Sequence, residues 1–157
     1  MSESLSEYIK ERSLDVRIIP LTPDASTREY YRLQENGSST IACVYPEAFP
    51  LNESHPYVDV TTLFQDGGIR VPIILDVDSR LGIIRMDDVG DSILRERLQI
   101  SDPSEINSML ERALEIIAGI QATTPIAKER NSIASRLSFD FEKLNWELEF
   151  FSEHYFG

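Results

Sequence analysis

Apolar and polar positions change their rhythm along this chain, and the change divides it. Leu5, Tyr8 and Ile9 share one face at helical spacing and predict a short N-terminal helix. Residues 15–21 then read as a strand that enters a polar, breaker-rich turn over 22–27. Two β-type segments follow, ending near Leu33 and running from Ser39 to Tyr45, with Asn36-Gly37 between them. That dipeptide predicts a hairpin, because both residues tolerate positive φ. Pro46 and Pro50 end the second strand and open a loop. Asn52 or Ser54 is positioned to cap a helix over 57–65, which carries Val58, Thr61, Thr62, Leu63 and Phe64 and stops at Gly67-Gly68. Segments 69–77 and 81–86 predict a second hairpin turning at 78–80, with Pro72 limiting the first to a strand start or an edge. An acidic connector, 87–91, and a short helix over 92–100 complete this part.

From residue 101 the pattern is helical. Asp102 predicts an N-cap, Pro103 suits the first helical position, and Glu105 is available for a capping box. Ile106, Met109, Leu110, Ala113, Leu114, Ile117 and Ile120 then recur at helical spacing until Thr124-Pro125, which reads as the stop. A polar stretch, 128–132, leads to a last helix expected from about residue 138. Its stripe is Phe141, Leu144, Leu148, Phe151 and Tyr155, and Phe139, Trp146, Phe150 and Phe156 add apolar surface beside it. Such a helix either docks on the 102–124 helix or meets a partner elsewhere, a second copy of the chain among the expected ones.

Composition narrows the classes of partner. At 157 residues and 41% hydrophobic content the chain is globular and long enough for a real core. A formal charge of −12 argues against broad binding to nucleic acid or to anionic membranes, both polyanions. The lysines are Lys10, Lys128 and Lys143. Cys43, the single cysteine, sits in an apolar strand pattern and is expected as a small buried hydrophobe. The N-terminus has neither the basic nor the apolar region of a signal peptide, and no apolar run reaches membrane-spanning length, so the expected location is cytoplasmic.

Metal and nucleophile chemistry find little purchase. His55 and His154 have no His or Cys neighbour at ligand spacing, and no nucleophile-elbow motif is present. The pairs Asp76/Asp78 and Asp87/Asp88 are of a kind common in turns. A kinase-like arrangement is sharper: Ile41-Ala42-Cys43-Val44 fits the V-A-I-K strand frame. Residues two apart on a strand share a face, so Ala42 would touch an adenine while position 44 reaches the phosphates. Here that position is Val44, without the amine. The turn before Arg28 would offer backbone N–H groups and the Ser26 and Thr27 hydroxyls to phosphates, and the connector after Met86 would present backbone groups of Asp87 and Val89 to the base edge.

The blocks 21–33 (Leu-Thr-Pro-Asp-Ala-Ser-Thr-Arg-Glu-Tyr-Tyr-Arg-Leu), His55-Pro-Tyr-Val58, Gly68-Ile-Arg-Val-Pro72 and Ile84-Arg-Met-Asp-Asp-Val-Gly-Asp91 resemble the N-terminal part of aminoglycoside phosphotransferase-type kinases. Within that family they look most like the cell-wall-recycling amino-sugar kinases that act on N-acetylmuramate and N-acetylglucosamine. Residues 147–156 are similar to the segment that precedes the catalytic loop there. The resemblance implies a protein-kinase-like fold, ATP and Mg²⁺ as cofactors, and a sugar or amino-sugar acceptor. The family's His-x-Asp-x-x-x-x-Asn loop and later metal aspartate do not occur before Gly157.

The expected fold class is therefore α+β: a kinase-like N-lobe with a five-stranded antiparallel sheet and one helix over 1–86, a hinge at 87–91, and the first helices of an incomplete helical C-lobe over 92–157. The expected nucleotide-binding residues are Ser26, Thr27, Arg28, Ala42, Val44, Met86, Asp87 and Val89, with no catalytic or metal-binding residue assigned. Arg28 and Arg32 are read either as surface strand arginines or, for Arg28, as a phosphate contact. Asp59 is read either as a solvated carboxylate or as the helix carboxylate that pairs with a strand lysine in such kinases. Two functions stay open: part of a small-molecule phosphotransferase that does not turn over alone, or a non-catalytic module that binds a nucleotide or a protein.

Overall fold

The computed structural model describes residues 2–22, 26–50, 55–138 and 140–156. The expected caps Asn52 and Ser54, the 23–25 part of the turn, and Phe139 lie outside them. Five strands form one antiparallel sheet in the order β1-β2-β3-β5-β4: β1 Arg17–Pro20, β2 Glu29–Glu35, β3 Ser38–Val44, β4 Ile74–Asp78 and β5 Ile83–Asp87. The β2–β3 turn is the expected one, with Glu35 opposite Ser38 and both Asn36 (φ 47°) and Gly37 (φ 83°) at positive φ. The β4–β5 turn lies at 79–82, later than expected. Gly82 makes it, at φ 65° and so close to the chain that a Cβ would stand 2.6 Å from the Glu47 carbonyl oxygen.

Two helices cover the sheet, one on each face; both were expected as helices, but only one was assigned to the sheet. Helix α1, Glu3–Glu11, is capped by the Ser2 hydroxyl, which accepts from the Leu5 N–H at 3.2 Å. Its Leu5 and Tyr8, both fully buried, pack on Tyr31, Leu33, Ala42, Val44, Leu81 and Ile83. Burying each such side chain stabilises by about 1.5–3 kcal/mol, so the short helix is held by tertiary contact rather than by propensity. The Tyr8 hydroxyl donates to Asp76 at 2.6 Å, and Arg12 bonds Asp76 (2.5 Å) and Asp78 (3.1 Å). Burial followed by the bond to Asp76 pushes the Tyr8 phenol up. Asp76 and Asp78 are thus the anchors of α1.

Helix α2, Pro56–Asp66, covers the other face. Tyr57 and Val58 pack with Cys43, Ile84 and Met86, and Cys43 is the buried small hydrophobe expected. Its cap is His55, whose Nδ1 accepts from the Tyr57 N–H at 3.3 Å. The expected strand 69–77 begins only at Ile74, and its register shifts between Ile74 and Asp76, past Pro72 with its missing N–H.

The chain then becomes helical: α3 Leu94–Ile100, α4 Pro103–Ala122, α5 Thr124–Glu129, a 3₁₀ turn at Ile133–Ser135, and α6 Phe141–Phe156. Asp102 caps α4 as expected, its Oδ1 accepting from the N–H groups of Ser104 and Glu105 at 2.9 Å each. Thr124-Pro125 does not stop the helical course but starts α5, because a proline in the first turn forfeits no hydrogen bond. The last helix starts at Phe141, capped by Asp140.

Three joints tie this part to α2. Asp59 accepts from the Ser132 hydroxyl at 2.5 Å and the Ile133 N–H at 2.8 Å, so it caps the 3₁₀ turn and is not a solvated carboxylate. Arg130 pairs with Asp66. Gly67 lies so near Thr123 that a Cβ would stand 2.4 Å from its methyl. No helix among the described residues is long and apolar enough to cross a membrane.

Candidate functional site

Strand alternation sorts the candidate residues by face. Arg28, Tyr30 and Arg32 alternate along β2 and its approach, and the register sets Tyr30 against Cys43 and Arg32 against Ile41. Met86 stands opposite Ile41 and Ile84 opposite Cys43, which brings all of these to the α2 face. Ala42 (0% exposed) and Val44 (4%) belong to the other face, closed over by Leu5 and Tyr8 of α1. On β3 the residues that share a face with Arg28 and Met86 are Ile41 and Cys43, one position away from the V-A-I-K frame.

Arg28 closes one end of the α2 face. Its backbone N–H and its Nε both donate to the Ser26 hydroxyl at 3.3 Å. Its guanidinium stands 5.8 Å from the ring centroids of both Tyr30 and Tyr45, within reach of a cation–π contact. The bond to the Tyr45 hydroxyl, outweighing partial burial, raises the Arg28 pKa further. Arg28 is a fixed cation at any physiological pH. Tyr45 also packs edge-on against His55 and Phe49, at centroid distances of 4.7 and 5.4 Å. Burial and the Arg28 charge push the His55 imidazole below its ordinary range. A neutral ring suits its cap, since Nδ1 must keep a lone pair for the Tyr57 N–H. Thr27 is exposed beside Ser26.

Between the two ends lies Met86, 5% exposed, whose sulfur accepts from the Tyr57 hydroxyl at 3.2 Å; it is core beside the connector. At the far end Asp87 exchanges bonds with Ile73: its N–H donates to the Ile73 carbonyl at 3.0 Å, and its Oδ1 accepts from the Ile73 N–H at 2.5 Å. Val89 is 76% exposed. Asp88 turns back onto the sheet, where Arg32 grips it at 2.5 and 3.1 Å, and Ser39 and the Gly90 N–H donate to it at 2.7 and 2.9 Å. The Arg32 guanidinium, opposed by partial burial and helped by Ser39 and Gly90, holds the Asp88 carboxyl down to about 2.

The structure thus brings Ser26, Arg28 and Met86 to one face, with Thr27 exposed in the chain between Ser26 and Arg28 and with Asp87 and Val89 at the far edge, and sets Ala42 and Val44 on the other. Sequence reasoning missed Tyr30, Tyr45, His55 and Ser39. The signal for Tyr45 was available, since continuing the hairpin register from Glu29↔Val44 sets it opposite Arg28.

This sheet face, with a fixed cation at one end, apolar side chains between and a turn of backbone at the other, belongs to an α+β protein built on a five-stranded antiparallel sheet. No family model matches the chain. An N-acetylmuramate/N-acetylglucosamine kinase of Pseudomonas aeruginosa is 29% identical to it over 139 residues. The match covers 88% of this chain and 37% of that protein, so the chain spans little more than a third of the length of the curated relative it matches. The chain is distantly related to a kinase.

Proposed function

We propose that the chain supplies the nucleotide-holding part of an ATP-dependent phosphotransferase that acts on a sugar or amino-sugar hydroxyl. The sheet with α1 and α2 serves as a kinase-like N-lobe, residues 87–91 as the hinge, and the helices after it as the start of a second lobe. The observation that carries this reading is the placement of Arg28, a permanently charged guanidinium aimed by Ser26 and flanked by two tyrosine rings, on the face that also holds Met86 and leads to the connector. The distant kinship with a kinase supports reading the anion as a nucleoside triphosphate.

In this reading Ser26, Thr27 and Arg28 hold the phosphates, doing the work of the lysine that β3 does not carry. Met86 gives the base an apolar backing, and Asp87 and Val89 border it through the backbone. Ala42 and Val44 act from behind, wedging the strand against α1. ATP with Mg²⁺ would supply the transferable phosphoryl group and most of the positive charge around it. The chain's own residues bind and orient, which is where catalysis of this kind chiefly resides.

Isothermal titration with Mg·ATP tests the reading. Saturable binding is expected, and Arg28→Ala should weaken it by about 10–100-fold, the worth of a hydrogen bond to a charged group at about 1.5–3 kcal/mol. Binding unchanged by Arg28→Ala, or no binding to the unaltered chain, would contradict it. A second reading, a kinase-like module that binds the nucleotide without transferring phosphate, is favoured by the absence of a lysine from β3. It differs only in turnover with an amino-sugar acceptor.

A further inference from the structure

We propose that Arg32 is a positioning residue that sets selectivity for the nucleotide base, by latching the 87–91 connector to the sheet so that the Val89 backbone borders the base. This inference rests on the nucleotide reading above and deepens it. The latch is fully built. Asp88 accepts four hydrogen bonds, two from Arg32 and one each from Ser39 and the Gly90 N–H, which matches the acceptor capacity of one carboxylate. Arg32 reaches past it to Asp91 at 2.7 Å, so one guanidinium holds both acids that flank Val89 and Gly90. The Asp88 side chain is 7% exposed and that of Arg32 15%, so solvent screens the pair little.

The anchors come from both strands of one hairpin. Arg32 belongs to β2, opposite Ile41, and Ser39 to β3, opposite Gln34, so the two are diagonal neighbours across the hairpin. The same β2 face carries Arg28, four residues before Arg32. In extended chain that separation is about 13 Å, of the order of an outstretched nucleoside triphosphate. One strand therefore sets the distance between the phosphate end and the base end. Two of the connector's N–H groups are committed: Asp87 donates to Ile73 and Gly90 to Asp88. Val89, between them, is 76% exposed. A loosened latch would leave the phosphate end intact and cost the base end its fixed backbone edge.

The test compares two ligands, Mg·ATP and Mg·tripolyphosphate, the second of which has phosphates but no base. Arg32→Lys keeps the charge and loses the two-pronged grip, and Ser39→Ala removes one anchor while the ion pair stays. Both variants are first checked for folding by circular dichroism. Arg32→Lys should weaken Mg·ATP about tenfold or more with Mg·tripolyphosphate within about twofold, and Ser39→Ala should shift the ratio the same way by less. Equal weakening of both ligands, or an unchanged ratio in both variants, overturns the positioning role. If Arg32→Lys does not fold, Ser39→Ala alone decides. An unaltered chain that binds the two ligands equally well overturns the latch and spares the phosphate site. One that binds neither overturns the nucleotide reading, and the latch with it.

Discussion

The two halves of this molecule are built from similar amounts of apolar sequence and use it differently. In the sheet half both faces are covered, and Leu5, Tyr8, Cys43, Leu63, Ile83 and Ile84 are all but inaccessible to water. In the helical half, α4 and α6 contribute no buried residue among those described, and Leu114, Phe141 and Leu148 are 65%, 84% and 70% exposed. The residues that are buried there, Thr123, Ala127 and Ser132, lie in the short joint segments between the long helices, and Thr123 and Ser132 touch α2. A sheet closes on itself through its ladder and offers two faces to cover, whereas an amphipathic helix buries its stripe only when a second stripe meets it. Periodicity marks a face as apolar. It does not say what covers that face.

The largest expected effect follows from that contrast. Leu5→Ala should cost about 2–5 kcal/mol of unfolding free energy, since it opens a cavity between α1 and the sheet. Leu114→Ala, an equal deletion on α4, should stay within about 0.5 kcal/mol. Urea denaturation of the two variants measures both. Equal costs would mean that the two halves are equally packed.

A smaller effect is expected at the joint. Asp59→Ala leaves the Ser132 hydroxyl, 1% exposed, without its acceptor and uncaps the 3₁₀ turn, at a cost of about 1–3 kcal/mol. Hydrogen exchange should quicken first around residues 132–136, with β2 and β3 keeping their protection. If the sheet loosened equally, the halves would be one cooperative unit.

The smallest effect is electrostatic. The Asp88 carboxyl is held below its unfolded value, so its contribution is fully present above about pH 4 and is lost as pH falls through about 2. That contribution should be on the order of 1 kcal/mol. Asp88→Asn should flatten the stability curve between pH 4 and 2, and an unchanged slope would show that Arg32 gains nothing from the charge.

Much of the sheet was legible in local chemistry. Asn36-Gly37 announced its turn because few residues adopt positive φ twice in succession, and Asp102-Pro103 announced α4 because a carboxylate and a proline suit a helix start. The partition of β3 was harder to read. Alternation groups Ile41 with Cys43 and Ala42 with Val44, but which pair faces α1 depends on where a helix some thirty residues earlier comes to rest. The N-terminal helix was visible in Leu5 and Tyr8; its anchors, Asp76 and Asp78, lie more than sixty residues away and resemble ordinary turn acids in sequence. Asp88 was hidden for the same reason, since a surface acid and a buried latch have the same letter. Asp59 was placed on the right helix, yet its partner, Ser132, comes from a stretch read only as polar linker.

The nucleotide face can be tested against the face beneath α1 in one spectrum. Mg·ATP added to the labelled chain should shift the Met86 methyl and the ring signals of Tyr30 and Tyr45, while the Leu33, Ala42 and Val44 methyl signals stay in place. Shifts confined to the methyls under α1, or none on either face at saturating Mg·ATP, would contradict the assignment.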